Sequence, residues 1–129
     1  MTRKKLPKPT DAELAILRVL WKLGKASVRQ VQERLEAERG TGYTTTLKLM
    51  QIMLEKGLVE RDDSQHAHVY EAAVTRGKTQ RQMVGEMLEQ VFDGSAQQLV
   101  MQALSSRKST PEELSEIRNL LDQLEGAGK

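Results

Sequence analysis

The sequence predicts a mainly α-helical chain carrying one small β-hairpin, and three observations lead there. Two capping boxes, Thr10-Asp11-Ala12-Glu13 and Ser27-Val28-Arg29-Gln30, each stand at the head of apolar residues at helical spacing. From Leu58 to Ala72 the pattern changes to two short runs around the turn-forming Asp62-Asp63-Ser64-Gln65. Beyond that hairpin the helical period returns.

The first helix opens at Thr10, whose hydroxyl can satisfy one free amide while Glu13 reaches back to another. Leu14, Leu17, Leu20 and Trp21 form its expected apolar face, and Gly24 its stop. The second helix opens at Ser27, buries Val28, Val31 and Leu35, and ends near Gly40. Gly40-Thr41-Gly42 turns the chain into a third helix from about Tyr43 to Lys56, closed by Gly57. Thr46, Met50, Met53 and Leu54 share its inward face; Leu47 and Leu49 fall off that stripe, one of them within reach of the second helix or the hairpin base.

Two short helices joined by a glycine turn, behind a first helix, form a helix-turn-helix pattern. Leu58-Val59-Glu60-Arg61 and His68-Val69-Tyr70-Glu71-Ala72, paired directly after it, form a wing. The fold class is therefore mainly α with a small β-hairpin wing: a winged helix-turn-helix followed by further helices.

Those helices carry a stripe of Met83, Val84, Met87, Leu88 and Val91, then Leu99, Val100, Ala103 and Leu104 behind a Ser95 cap. Leu114, Ile117, Leu121 and Leu124 follow the Thr110-Pro111-Glu112-Glu113 start. A region this small, with one Phe and neither Trp nor Tyr, buries too little apolar area to stand alone. Met83, Val84, Met87, Leu88, Val91, Leu99, Leu114, Ile117 and Leu121 are thus expected to meet a second copy of the chain. The competing arrangement folds them back on the N-terminal half of a monomer. The expected organisation is a basic arm over 1–9, a winged helix-turn-helix over 10–74 and a helical dimerisation region over 75–129.

Composition bounds the function classes. Aromatics are only 3% of the 129 residues, so the core must be aliphatic. No apolar run approaches the roughly 20 residues of a membrane span, and the basic Met1–Pro9 stretch has no apolar segment behind it, so neither membrane insertion nor a secretory signal is expected. With no cysteine, disulfides and thiolate metal sites are excluded, and a cytoplasmic location fits. The net charge of +2 is uneven: residues 1–74 carry 13 Lys and Arg against 10 Asp and Glu, residues 75–129 carry 7 against 8. A polyanion would prefer the N-terminal half.

A helix in a DNA groove presents its N-terminal turns to base edges. The outward face of the third helix offers Thr44, Thr45, Lys48 and Gln51. Lysine can donate to guanine or to phosphate, the glutamine amide suits adenine, and threonine can bond phosphate or meet a thymine methyl. Ser27, Arg29 and Gln30 at the start of the second helix suit phosphate, with Glu33 at i+4 as a competing partner for Arg29. Arg61 and His66 on the wing, and Arg3, Lys4 and Lys5 in the arm, are placed to meet flanking backbone.

His66 and His68, two apart and near Asp62 and Asp63, form a candidate metal pair, although such residues on a wing are more often polar surface. No metal or other cofactor is expected. No nucleophile-base constellation, GxxxxGK loop or GxGxxG fingerprint is present, so an enzyme is not expected, and a hydrolase reading rests on the isolated histidines alone.

Gly42-Tyr43-Thr44-Thr45-Thr46-Leu47-Lys48, continued to Glu55-Lys56-Gly57-Leu58-Val59, resembles the recognition-helix region of the penicillinase-repressor (BlaI/MecI/CopY) family. Thr10–Leu14 with Trp21, Ser27–Val31 with Arg34-Leu35, Tyr70, Phe92-Asp93-Gly94-Ser95 with Leu99-Val100, and Glu112-Glu113-Leu114 extend the likeness over residues 7–125. The resemblance implies a homodimeric repressor on a palindromic DNA operator, with a membrane sensor-protease as inducer in members that answer β-lactams. Copper-sensing members use cysteines, which this chain lacks. Thr46, Lys48 and Ile52 depart from the family's usual residues, which implies a different operator, and Gln102-Ala103 stands where β-lactam-responsive members have an Asn-Phe cleavage pair. A second reading from another class is a winged-helix module that binds proteins and shows no sequence-specific DNA affinity.

Overall fold

The computed structural model describes residues 8–64 and 66–127. The expected arm contacts of Arg3, Lys4 and Lys5 lie outside them. The order of elements is α1 (Asp11–Leu23), β1 (Lys25–Ala26), α2 (Val28–Arg39), α3 (Tyr43–Lys56), β2 (Val59–Asp62), β3 (Val69–Ala72), α4 (Arg76–Gln90), α5 (Ala96–Ser106) and α6 (Pro111–Ala127). The chain divides into two compact units, one ending at Val84 and the other beginning at Gly85, so α4 runs through the division.

In the first unit both capping boxes form. Thr10 accepts from the Glu13 amide at 3.2 Å while Glu13 accepts from the Thr10 amide at 3.0 Å; Ser27 and Gln30 repeat the exchange at 3.2 and 2.8 Å. Each box removes two unpaired amides from a helix start, stabilising it by roughly 1 kcal/mol. At the end of α3, Gly57 takes φ 82°, the left-handed region that a residue with Cβ enters only with strain.

The core is aliphatic. Ile16, Leu17 and Leu20 of α1, Val28, Val31 and Leu35 of α2, and Met50 and Met53 of α3 close around Leu58, Val59 and Tyr70. The expected face of α1 is corrected by one position: Ile16 and Val19 are buried, whereas Leu14 and Trp21 are half-buried at its edge. The cause is Glu13, an inward acid 2% exposed, whose carboxylate meets Lys56 of α3 at 2.8 Å. An apolar-only reading cannot count a carboxylate as core. Leu47 and Leu49 both pack partly buried against the core.

The wing strands lie one residue later than expected at β2 and start one later at β3, and they pair antiparallel with Val59 opposite Ala72 and Asp62 opposite Val69. A third strand, β1, escaped the sequence reading because two residues carry no alternation. It pairs Lys25 with Glu71 and Ala26 with Tyr70, giving the sheet order β1-β3-β2. Beyond β3, the Trp21 indole N–H donates to the Val74 carbonyl at 2.9 Å and Thr79 is buried, so the first turns of α4 belong to this unit.

The second unit consists of the rest of α4 with α5 and α6. Ser95 and Thr110 cap α5 and α6 as their sequences predict. Among its described residues not one is fully buried. No helix among the described residues is long and apolar enough to cross a membrane.

Candidate nucleic-acid interface

The fold delivers two helix starts to one place. The Arg29 guanidinium of α2 lies over the Tyr43 ring at the head of α3, 5.8 Å from its centroid. Arg29 thereby takes a partner that the sequence reading did not weigh, an aromatic face rather than Glu33. Tyr43 was missed as a site residue, yet it is 45% exposed in a chain with three other aromatics. An exposed tyrosine at the first position of the third helix was the available signal.

Thr44, Thr45, Lys48 and Gln51 are all exposed on α3. Lys48 and Gln51 follow Thr44 at i+4 and i+7, one face of the helix, with Thr45 beside them. Unlike α1 and α2, α3 begins at Gly42 with no side-chain cap, so its first amides are left for another acceptor. At the head of α2, Ser27 and Gln30 have committed one polar function each to their mutual cap. The Gln30 amide nitrogen and the Ser27 hydroxyl proton remain as donors toward an anion.

Thr46 is fully buried and its hydroxyl donates to the Gly42 carbonyl at 2.9 Å. Ile52 is half-buried. Of the three departures that implied a changed operator, only Lys48 is therefore exposed to read anything.

The wing tip is tied together by Asp63, which receives Arg61 Nε at 2.8 Å and His68 Nδ1 at 2.7 Å. Asp62 is pinned by the Ser64 hydroxyl and amide and by Lys25 at 3.2 Å, holding its carboxyl down to about 2. Arg61 is held protonated by the Tyr70 hydroxyl, its cross-strand partner, and by Asp63. His66 is exposed, and His68 precedes β3 rather than lying on it, so the two histidines do not share a strand. Among the described residues no three His, Asp or Glu side chains gather as a metal would require.

Of the expected pairing residues, Val84, Met87, Val91 and Leu121 are exposed, and Met83, Leu88, Leu99, Leu114 and Ile117 are half-buried. Val100, Met101, Leu120 and Leu124 are likewise exposed apolar residues of the second unit.

Comparison with known proteins gives consistent neighbours. The family model described as penicillinase repressor matches residues 9–123. The transcriptional regulator BlaI of Mycobacterium tuberculosis is 30% identical over 122 residues, covering 94% of this chain and 88% of that protein. The penicillinase repressor of Bacillus licheniformis is 21% identical over 120 residues, 93% of this chain and 94% of the other. Among solved structures, the DNA-binding domain of the repressor BlaI superposes with a TM-score of 0.51 at 23% identity, over 57% of this chain and 90% of that one. Bacillus licheniformis BlaI, in its monomeric form in complex with the blaP half-operator, gives 0.51 at 23% identity over 58% and 92%. These likenesses show the winged-helix fold.

Proposed function

The chain belongs to the penicillinase repressor family, and from that premise we propose that it is a sequence-specific transcriptional repressor that grips a palindromic operator as a homodimer. The observation that carries this reading is the outward face of α3, where Thr44, Thr45, Lys48 and Gln51 stand together behind an uncapped helix start. α3 enters the major groove; Lys48 donates to a guanine edge, Gln51 pairs with adenine, and the threonines meet phosphate or a thymine methyl. Ser27, Arg29 and Gln30 bond phosphate alongside the free amides of α3, fixing register. Arg61 and His66 meet flanking backbone from the wing. The relative solved with a half-operator is a protein of this fold on DNA, which supports the assignment. Repression follows from occupying promoter DNA, in the cytoplasm where the chromosome lies.

Dimerisation rests on the second unit. Val91 at 67% and Leu124 at 60% exposure leave apolar surface in water, and a unit with no fully buried residue among those described has no core of its own. A second copy presents the same surface and covers it with two-fold symmetry, which a palindrome requires. Induction by a sensor-protease would require a cut within α5. Gln102 and Ala103 lie exposed but helical within α5, so a cut there needs local unwinding as well as a protease that accepts this pair.

The test is selection from a pool of random duplexes. The reading expects recovered sequences to share two related half-sites in inverted orientation; a pool with no shared motif contradicts it.

A further inference from the structure

We propose that the recess between α1, α2 and the first turn of α4 binds a small, multiply charged anion, either a phosphoanhydride or a polycarboxylate. The recess holds about 420 Å³, within the range of small-ligand sites. Four cations line it, Arg18 and Lys22 of α1, Arg34 of α2 and Arg76 of α4, against one acid, Glu38.

Three physical points single it out from ordinary solvated charge. In this unit Lys56 meets Glu13 at 2.8 Å, Lys25 meets Asp62 at 3.2 Å and Arg61 meets Asp63 at 2.8 Å, while Arg29 lies over the Tyr43 ring and Arg39 donates to the Asp11 carbonyl at 3.3 Å. Arg18, Lys22 and Arg34 have no hydrogen-bond or ion-pair partner among the described residues. Arg18 and Lys22 are four apart on one helix face, a like-charge spacing that destabilises the free helix. An anion between them reverses the sign of that interaction. Arg76 is already positioned: its guanidinium lies 5.5 Å over the Trp21 ring, which the indole bond to Val74 fixes in place. Planar guanidinium groups from α2 and α4 suit bidentate contacts with phosphate or carboxylate, and the lysine supplies a point charge.

The recess is separate from the DNA-facing surface. Arg34 and Glu38 lie about 140–180° around α2 from Arg29 at 100° per residue. The anion therefore does not need α3, and the proposal stands or falls apart from the operator reading. Because Arg76 is the first residue of α4, a bound anion would clamp the start of that helix to α1 and α2.

The test is calorimetric titration of the full chain with pyrophosphate and, separately, with citrate, at ionic strength fixed by sodium chloride. Saturable binding of one anion per chain is expected for at least one of the two, and which one binds names the source class. Arg34→Gln and Lys22→Gln should each weaken it about tenfold, the loss of one charge-assisted contact, while Lys48→Gln leaves it unchanged. All three side chains are exposed, so the variants should melt as the parent does, with Lys22→Gln at or slightly above it. No saturable heat with either anion overturns the proposal. So does binding that Arg34→Gln and Lys22→Gln leave intact, or that Lys48→Gln abolishes.

Discussion

Lys48 and Glu13 show how differently two charged residues on neighbouring helices act. Lys48 is exposed on α3, where the proposed function sets it against a base edge. Lys48→Ala should cost about 1–3 kcal/mol of operator affinity and relax preference at one base position; equal weakening on every sequence would instead make it a phosphate contact. Anisotropy titrations against a set of singly substituted duplexes separate the two. Glu13 is structural. Burial raises its carboxyl, but Lys56 and the Thr10 amide outweigh that and hold it below the ordinary carboxylate range. Its ionised form is favoured in the folded state, so its stabilisation is present above the unfolded pKa and fades as pH falls through the folded one. Glu13→Gln should lower stability at neutral pH by about 1–3 kcal/mol, and the gap from the parent should close on acidification in urea melts. A gap that stays constant would show that the ion pair contributes nothing. At this scale the sequence disclosed which polar residues face outward on α3, but not that Glu13 faces inward, because a buried acid is legible only with its distant partner Lys56 in view.

At the scale of elements, caps were the readable part. Thr10, Ser27, Ser95 and Thr110 act on amides within three residues, so local sequence suffices to place all four helix starts. β1 was unreadable because its two residues become a strand only through pairing with β3. The Arg29–Tyr43 contact likewise joins two elements across the glycine turn. Tyr43→Ala should weaken operator binding by about 0.5–2 kcal/mol through loss of Arg29 positioning, measured as a faster dissociation rate; an unchanged rate would leave the contact incidental. Exposed Val91, just past the end of α4, and Leu121 of α6 carry a further expectation. Val91→Asp together with Leu121→Asp should turn a dimer into monomers in sedimentation velocity while helical circular dichroism of the first unit persists. A parent already monomeric at micromolar concentration would remove the proposed interface.

For the whole molecule, the central claim is that two winged helices are held together to read one symmetric site. Steep salt dependence belongs to that claim, since each phosphate contact releases counterions; Arg29→Ala should lower the slope of log affinity against log salt by about 0.9. The modest net charge of +2 does not announce it, because the salt slope follows the number of phosphates contacted rather than the net charge. The most direct measurement is fluorescence anisotropy of a labelled duplex from the region upstream of the protein's own gene, competed with scrambled DNA at near-physiological salt. The account predicts saturation at two chains per duplex, retained against excess scrambled competitor. Binding displaced equally by scrambled and authentic DNA, or saturating at one chain per duplex, would contradict it.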